Sequence, residues 1–79
     1  MSPDKLVYMA NQIGKFFVSQ GPGKAPAAIA EHIQKFWEPR MRRQIVAYER
    51  DHDGAGLSDL ARAAVVKLAE LDAASARTA

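Results

Sequence analysis

Two histidines, a pair of acids around the second, and a dense arginine block are the residues here whose types could do chemistry. His32 and His52 lie far apart along the chain, and neither sits in a ligand-like spacing. Asp51 and Asp53 flank His52 in "DHDGAG", but acids beside a glycine-rich turn are ordinary turn chemistry. That segment is not a phosphate loop, because it lacks the Lys-Ser/Thr ending and follows no strand pattern. The serines and the single threonine lie near loops or termini. The chain has no cysteine, which excludes disulfides and thiolate metal sites. A catalytic centre needs a nucleophile, a base or a metal within mutual reach. This pattern supplies none, so no active site and no metal of its own is expected.

The arginine block is different. "FWEPRMRRQI", residues 36–45, holds the only Trp, a Pro and three of the six Arg. Trp and Arg are the types most enriched at binding hot spots. Arg also presents a rigid fork that grips carboxylates or phosphates at two points. Phe36, Trp37, Pro39, Arg40, Met41, Arg42 and Arg43 are therefore candidate partner-binding residues. Two readings stay open: a docking patch, or a solvated helix face whose Arg stems cover apolar surface. Trp37 continues an apolar stripe and divides between core and interface.

The elements that must carry these residues are helices. Ser2-Pro3-Asp4 reads as a helix start: Ser at the N-cap, Pro where its missing N–H costs nothing, Asp at the positive end of the dipole. Leu6, Met9, Ala10, Ile13, Phe16 and Phe17 follow as one apolar stripe. "GPGKAP" (Gly21 to Pro26) ends that helix near Gln20, and Pro26 opens a second. Its stripe is Ala25, Ile29, Ile33, Phe36 and Trp37. Pro39 disfavours helical geometry at Glu38 and suits the first turn of a third helix running to about Arg50. A continuous but kinked helix is the alternative. Met41, Ile45 and Tyr48 form its apolar side, while Arg40, Arg43 and Arg50 share another. Ser58 caps a fourth helix, with Leu57 as a staple before it. Leu60, Ala61, Ala64, Val65, Leu68 and Leu71 give the cleanest stripe.

No β pattern and no internal repeat appears. The expectation is an all-α fold, a small bundle of three to four helices with short connections. It forms a single domain over 1–79, with its core at about 3–71 and a C-terminal tail, 73–79, expected to be disordered.

On the first helix, Val7, Asn11, Gly14 and Val18 lie off the centre of the main stripe. A mid-helix Gly costs about 1 kcal/mol relative to Ala. Gly14 then suggests close approach of another backbone, or simply a tolerated glycine. Asn11 and Gln12 add two amides able to bond a neighbour's main chain. Val46 and Val66 also lie off their stripes, hinting at more apolar surface than one small core can bury.

Size and charge fit an interaction role. Seventy-nine residues bury only a marginal core. The formal net charge is +2, but it is unevenly placed: +1 over 1–38, +3 over 39–50 and −2 over 51–79. A duplex-binding domain usually spreads its cations over a whole face. The first dozen residues carry charges and amides, so no signal peptide is expected. No apolar run approaches a membrane span. The chain is expected to be cytoplasmic, with no membrane and no nucleic acid among its partners.

"YMANQIGKFF" (Tyr8 to Phe17), "IAEHIQKFWEPRMRRQI" (Ile29 to Ile45) and "GAGLSDLARAAVVKL" (Gly54 to Leu68) occur in this order and spacing. Together they resemble the delta subunit of the NAD-dependent, molybdenum- or tungsten-containing formate dehydrogenases, over about Lys5 to Leu68. The resemblance implies a small accessory chain without a cofactor of its own. It accompanies the large catalytic (alpha) subunit, which holds bis-molybdopterin guanine dinucleotide (bis-MGD) and iron–sulfur clusters. Other subunits carry FMN and iron–sulfur centres and reduce NAD. The delta chain is associated with assembly, cofactor insertion or stability of the active complex. Two rival classes remain: a free-standing molybdenum-cofactor insertion chaperone, and a small helical nucleic-acid-binding module.

Overall fold

The computed structural model describes residues 2–78, with side chains over 2–74. Four helices follow one another: α1 (Pro3–Phe17), α2 (Ala25–Phe36), α3 (Pro39–His52) and α4 (Asp59–Thr78). A short 3-10 turn, Val18–Gln20, follows α1. No strand occurs among the described residues, so the fold is the expected all-α bundle. None of the described helices is long and apolar enough to cross a membrane.

Local chemistry sets the ends. Ser2 Oγ accepts from Lys5 N at 3.4 Å, and Pro3 occupies the first turn of α1. The α2 N-terminus is Ala25, one residue before the expected Pro26, because the Gly21 carbonyl already accepts from Ala25 N at 2.8 Å. Trp37 and Glu38 are both extended, with ψ of 143° and 150°. Proline forces this on the residue before it. The α2–α3 junction is therefore a break between two helices rather than a kink in one. The third helix continues past the expected Arg50 to His52. It stops at Asp53, which turns left-handed at φ 54°, and Gly54 N donates to Glu49 O at 3.1 Å. Ser58 Oγ accepts from Ala61 N at 3.2 Å and caps α4, with Leu57 packed against the core just before it.

The longest seam runs between α2 and α4. Ile29 and Ile33 meet Val65 and Leu68 in one buried cluster, joined by Leu6 from α1 and Ile45 from α3. The first helix enters this core through Leu6, Ala10 and Gly14, at i, i+4 and i+8. That small-residue arc explains a departure from the expected stripe. Phe16 lies about 200° around the helix from Gly14 and is 82% exposed. Met9, Ile13 and Phe17 flank the arc, half-buried. Phe36 also leaves its expected stripe, at 72% exposed. At the end of α2 the extended backbone carries the Trp37 indole into the core, and Phe36 leans back along His32. Of the tail expected to be disordered, 73–79, the backbone continues in α4 as far as Thr78, and residue 79 lies outside the described residues.

Candidate functional site

The α2–α3 junction is the centre of the arginine block, and it sends neighbouring residues in opposite directions. Trp37 is only 6% exposed and belongs to the core. Pro39 begins α3, and Met41 is packed half-buried against the core. Arg42 points inward along the α2–α3–α4 junction. Its Nε donates to Asp72 Oδ2 at 3.2 Å, and its Nη1 donates to Trp37 O at 3.0 Å and Gln34 O at 3.2 Å. Gln34 Nε2 completes the knot by donating to Asp72 Oδ1 at 3.3 Å. The Gln34 carbonyl belongs to the last turn of α2 and the Trp37 carbonyl to its C-cap, where acceptors lack intrahelical donors. Arg42 thus ties the end of α2 to the start of α3 and to α4. Its guanidinium is engaged within the chain.

Arg40 and Arg43 are exposed, and among the described residues they form no ion pair. Arg50 lies further along the same side, its Nε bonded to the adjacent Asp51 at 3.1 Å, with both side chains well exposed. An open groove of about 240 Å³ runs beside this row, lined by Arg43, Val46, Ala47, Arg50, Ala69 and Asp72. Its floor is apolar and its α3 edge is cationic.

The residues singled out on α1 also divide. Asn11 Nδ2 donates to Gly56 O at 2.9 Å, and its Oδ1 accepts from Ser58 N at 2.8 Å. The amide expected to meet a neighbour's main chain thus clamps this chain's own α3–α4 loop. Gln12 Nε2 donates to the Tyr8 hydroxyl at 2.6 Å on the helix surface. Gly14 is buried, but a Cβ there would meet Ser58 Oγ at 3.8 Å and Ile29 Cδ1 at 3.9 Å, ordinary contact distances. Among the described residues no neighbouring backbone approaches it closely enough to require glycine.

A second surface feature is aromatic. His32 lies between Phe36, with ring centroids 4.7 Å apart, and Phe17, at 6.0 Å. These rings line a shallow depression with Ala28, Glu31 and Lys35. His52 stacks obliquely on Tyr48 at 5.0 Å. Among the described residues no three His, Asp or Glu side chains converge as metal ligands.

Sequence reasoning missed Asp72 and Gln34, the partners of Arg42. Asp72 follows the last apolar residue of the α4 stripe, and nothing local marks it as an acceptor for a residue thirty positions earlier. The exposed Phe16 was also missed. The off-stripe Val46 and Val66 were a usable signal, since Val46 lines the groove and Val66 is exposed.

A sequence model of the family described as NADH-dependent formate dehydrogenase delta subunit FdsD matches residues 5–65 of the 79. The match spans the first two motif segments and all but the last three residues of the third. No curated protein and no solved structure matches the chain.

Proposed function

The chain belongs to the delta-subunit family of NADH-dependent formate dehydrogenases, and from that membership we propose that it is a non-catalytic accessory subunit of such an enzyme in the cytoplasm. In this reading it binds the large molybdopterin-containing catalytic subunit and supports assembly, cofactor insertion or stability of the active complex. The bis-MGD, iron–sulfur, FMN and NAD groups belong to the other subunits. This chain has no cysteine to ligate a cluster.

The family membership carries the reading, and the surface supports it. Tyr8, Phe16, Val18, Phe36 and Val66 stand exposed on a small domain, and Arg40 and Arg43 are exposed without an ion pair among the described residues. Apolar remainder of this kind marks an interaction surface. A chain that binds only the folded or loaded form of its partner stabilises that form by mass action, about 2.7 kcal/mol at a concentration 100 times Kd.

Co-purification tests the proposal. A tagged chain, expressed with the enzyme's other subunits, is expected to bring down the large catalytic subunit at stoichiometric yield. A fully active, cofactor-loaded enzyme purified from cells lacking this chain, with unchanged yield and thermal stability, would overturn it. Capture of the cofactor-free catalytic subunit alone, with absence from the finished enzyme, would turn the reading towards a transient insertion factor.

A further inference from the structure

We infer that the groove between α3 and α4 docks an amphipathic helix of the partner subunit that carries a row of carboxylates along one edge. The inference rests on the accessory-subunit reading and names the surface and the chemistry through which it acts.

Helix geometry places Arg40, Arg43, Ala47 and Arg50, at i, i+3, i+7 and i+10, within one arc of about 80°. Arg40 and Arg43 form no ion pair among the described residues, and the Arg50–Asp51 pair is solvent-exposed. Exposed pairs of this kind are worth little and exchange readily. Two acids near the row are engaged elsewhere: Glu49 accepts from Arg62 at 3.4 Å, and Asp72 accepts from Arg42 at 3.2 Å. A positive edge is left facing solvent over about 15 Å of α3.

Beside it lies an apolar floor of Val46, Ala47 and Ala69. Val66 and Ala73 stand at i−3 and i+4 from Ala69, so the apolar strip continues along α4, and both are exposed. Small residues on the floor and long cations on one edge suit a helix laid in the groove. Its apolar side chains would fill the floor, and carboxylates repeating at three and four residues would meet the guanidiniums. Arg forks bind carboxylates in two-point fashion. The aromatic depression is another exposed patch, but it sets one Glu31 against one Lys35, whereas the groove sets Arg43 and Arg50 against an Asp72 that is already bonded to Arg42.

The test uses the full chain and the large catalytic subunit in a binding titration at two salt concentrations. Three variants are compared with wild type: the edge reversal Arg40→Glu/Arg43→Glu/Arg50→Glu, the groove-filling Ala69→Trp, and the patch control Phe36→Ser in the aromatic depression. Wild-type affinity is expected to fall with salt. The edge reversal is expected to weaken binding at least tenfold and to reverse the sign of that salt dependence, with helical circular dichroism unchanged. The groove filler weakens it similarly, and the patch control stays within threefold. A photo-cross-linking residue at Val46 in the assembled complex reads the chemistry without relying on weakened binding. It is expected to capture a segment with carboxylates at i and i+3 or i+4. Capture of a segment without them overturns the inference. So does loss of binding in the patch control with the groove variants unaffected, which leaves the docking role standing through the other face. If wild type itself does not bind, the accessory-subunit reading falls, and this inference with it. If duplex DNA competes for the edge at equal affinity, the groove is a polyanion site instead.

Discussion

Arg42 and Arg43 are neighbours in sequence and opposites in structure. One is tied into the junction of three helices, with its side chain 20% exposed against an Asp72 that is 27% exposed. The other stands on the outer edge of a groove with no ion pair among the described residues. The same division separates Asn11, bonded across to the α3–α4 loop, from Gln12, bonded only to Tyr8 on its own helix. In each pair, one step of about 100° around the helix decides whether a polar group bonds across to another element or faces outward. The lesson concerns how the arginine block should be read. It is not a uniform docking patch but a structural residue set within a row of available ones.

The largest expected effect breaks the inner half of that comparison. Arg42→Ala removes the donor to two carbonyls at the end of α2 and leaves Asp72, among the described residues, with only Gln34. Hydrogen bonds involving a charged partner contribute about 1.5–3 kcal/mol, and partial exposure lets water replace some of this. A loss of about 2 kcal/mol is expected, which for a domain of this size lowers Tm by roughly 8–16 °C. Arg42→Lys should recover less than half of it, because an ammonium does not reproduce the planar fork that reaches Asp72 and the carbonyls together. Thermal unfolding followed by circular dichroism measures both. An unchanged Tm would show that the knot contributes nothing.

Asn11→Ala is next. It leaves Ser58 N and Gly56 O without their side-chain partner, at the point where the loop feeds the α4 cap. At about 1 kcal/mol for each hydrogen bond, less what water restores, the expected loss is about 1.5 kcal/mol. Gln12→Ala should change stability by no more than about 0.5 kcal/mol, as a surface substitution away from any packing feature. Equal losses from the two would erase the distinction between the inward and outward amides.

How much of this was legible beforehand follows the same division between local and distant causes. The four helices, the Ser2 and Ser58 caps and the break at Pro39 were readable because each depends on residues within one turn. The fates of Phe16 and Phe36 were not. Periodicity defines a stripe but not which arc of it meets a neighbour, and α1 approaches through Ala10 and Gly14 rather than through its largest side chains. Arg42 could not be separated from Arg40 and Arg43, because its acceptors are an acid thirty residues later and carbonyls freed by a helix end. Asn11 reads in the sequence as an amide able to bond a neighbour's main chain, yet the loop it bonds is this chain's own, 45 residues away.

Gly14 offers a smaller effect of opposite sign. A mid-helix Gly costs about 1 kcal/mol relative to Ala. The added Cβ would meet Ser58 Oγ and Ile29 Cδ1 at 3.8 and 3.9 Å, contacts that gain dispersion without overlap. Gly14→Ala is therefore expected to stabilise the chain by about 1 kcal/mol, read as a Tm raised by roughly 4–8 °C. A fall in Tm would mean that α1 sits closer to α2 and the α3–α4 loop than these distances allow.

The smallest expected effect on stability is also the most informative about function. Arg43→Ala removes an exposed guanidinium that pairs with nothing among the described residues, so its stability should stay within about 0.5 kcal/mol of wild type. Chemical denaturation measures this, with an unchanged m-value as the sign that the folded state is the same. Its neighbour's substitution damages the fold, and any loss of partner binding by Arg42→Ala would be confounded by that damage. Arg43→Ala separates the two. A variant with wild-type unfolding and weakened capture of the catalytic subunit would place that arginine in assembly rather than in the fold. If instead its stability fell as far as that of Arg42→Ala, the outer row would be structural after all, and the division between the two halves of the block would collapse.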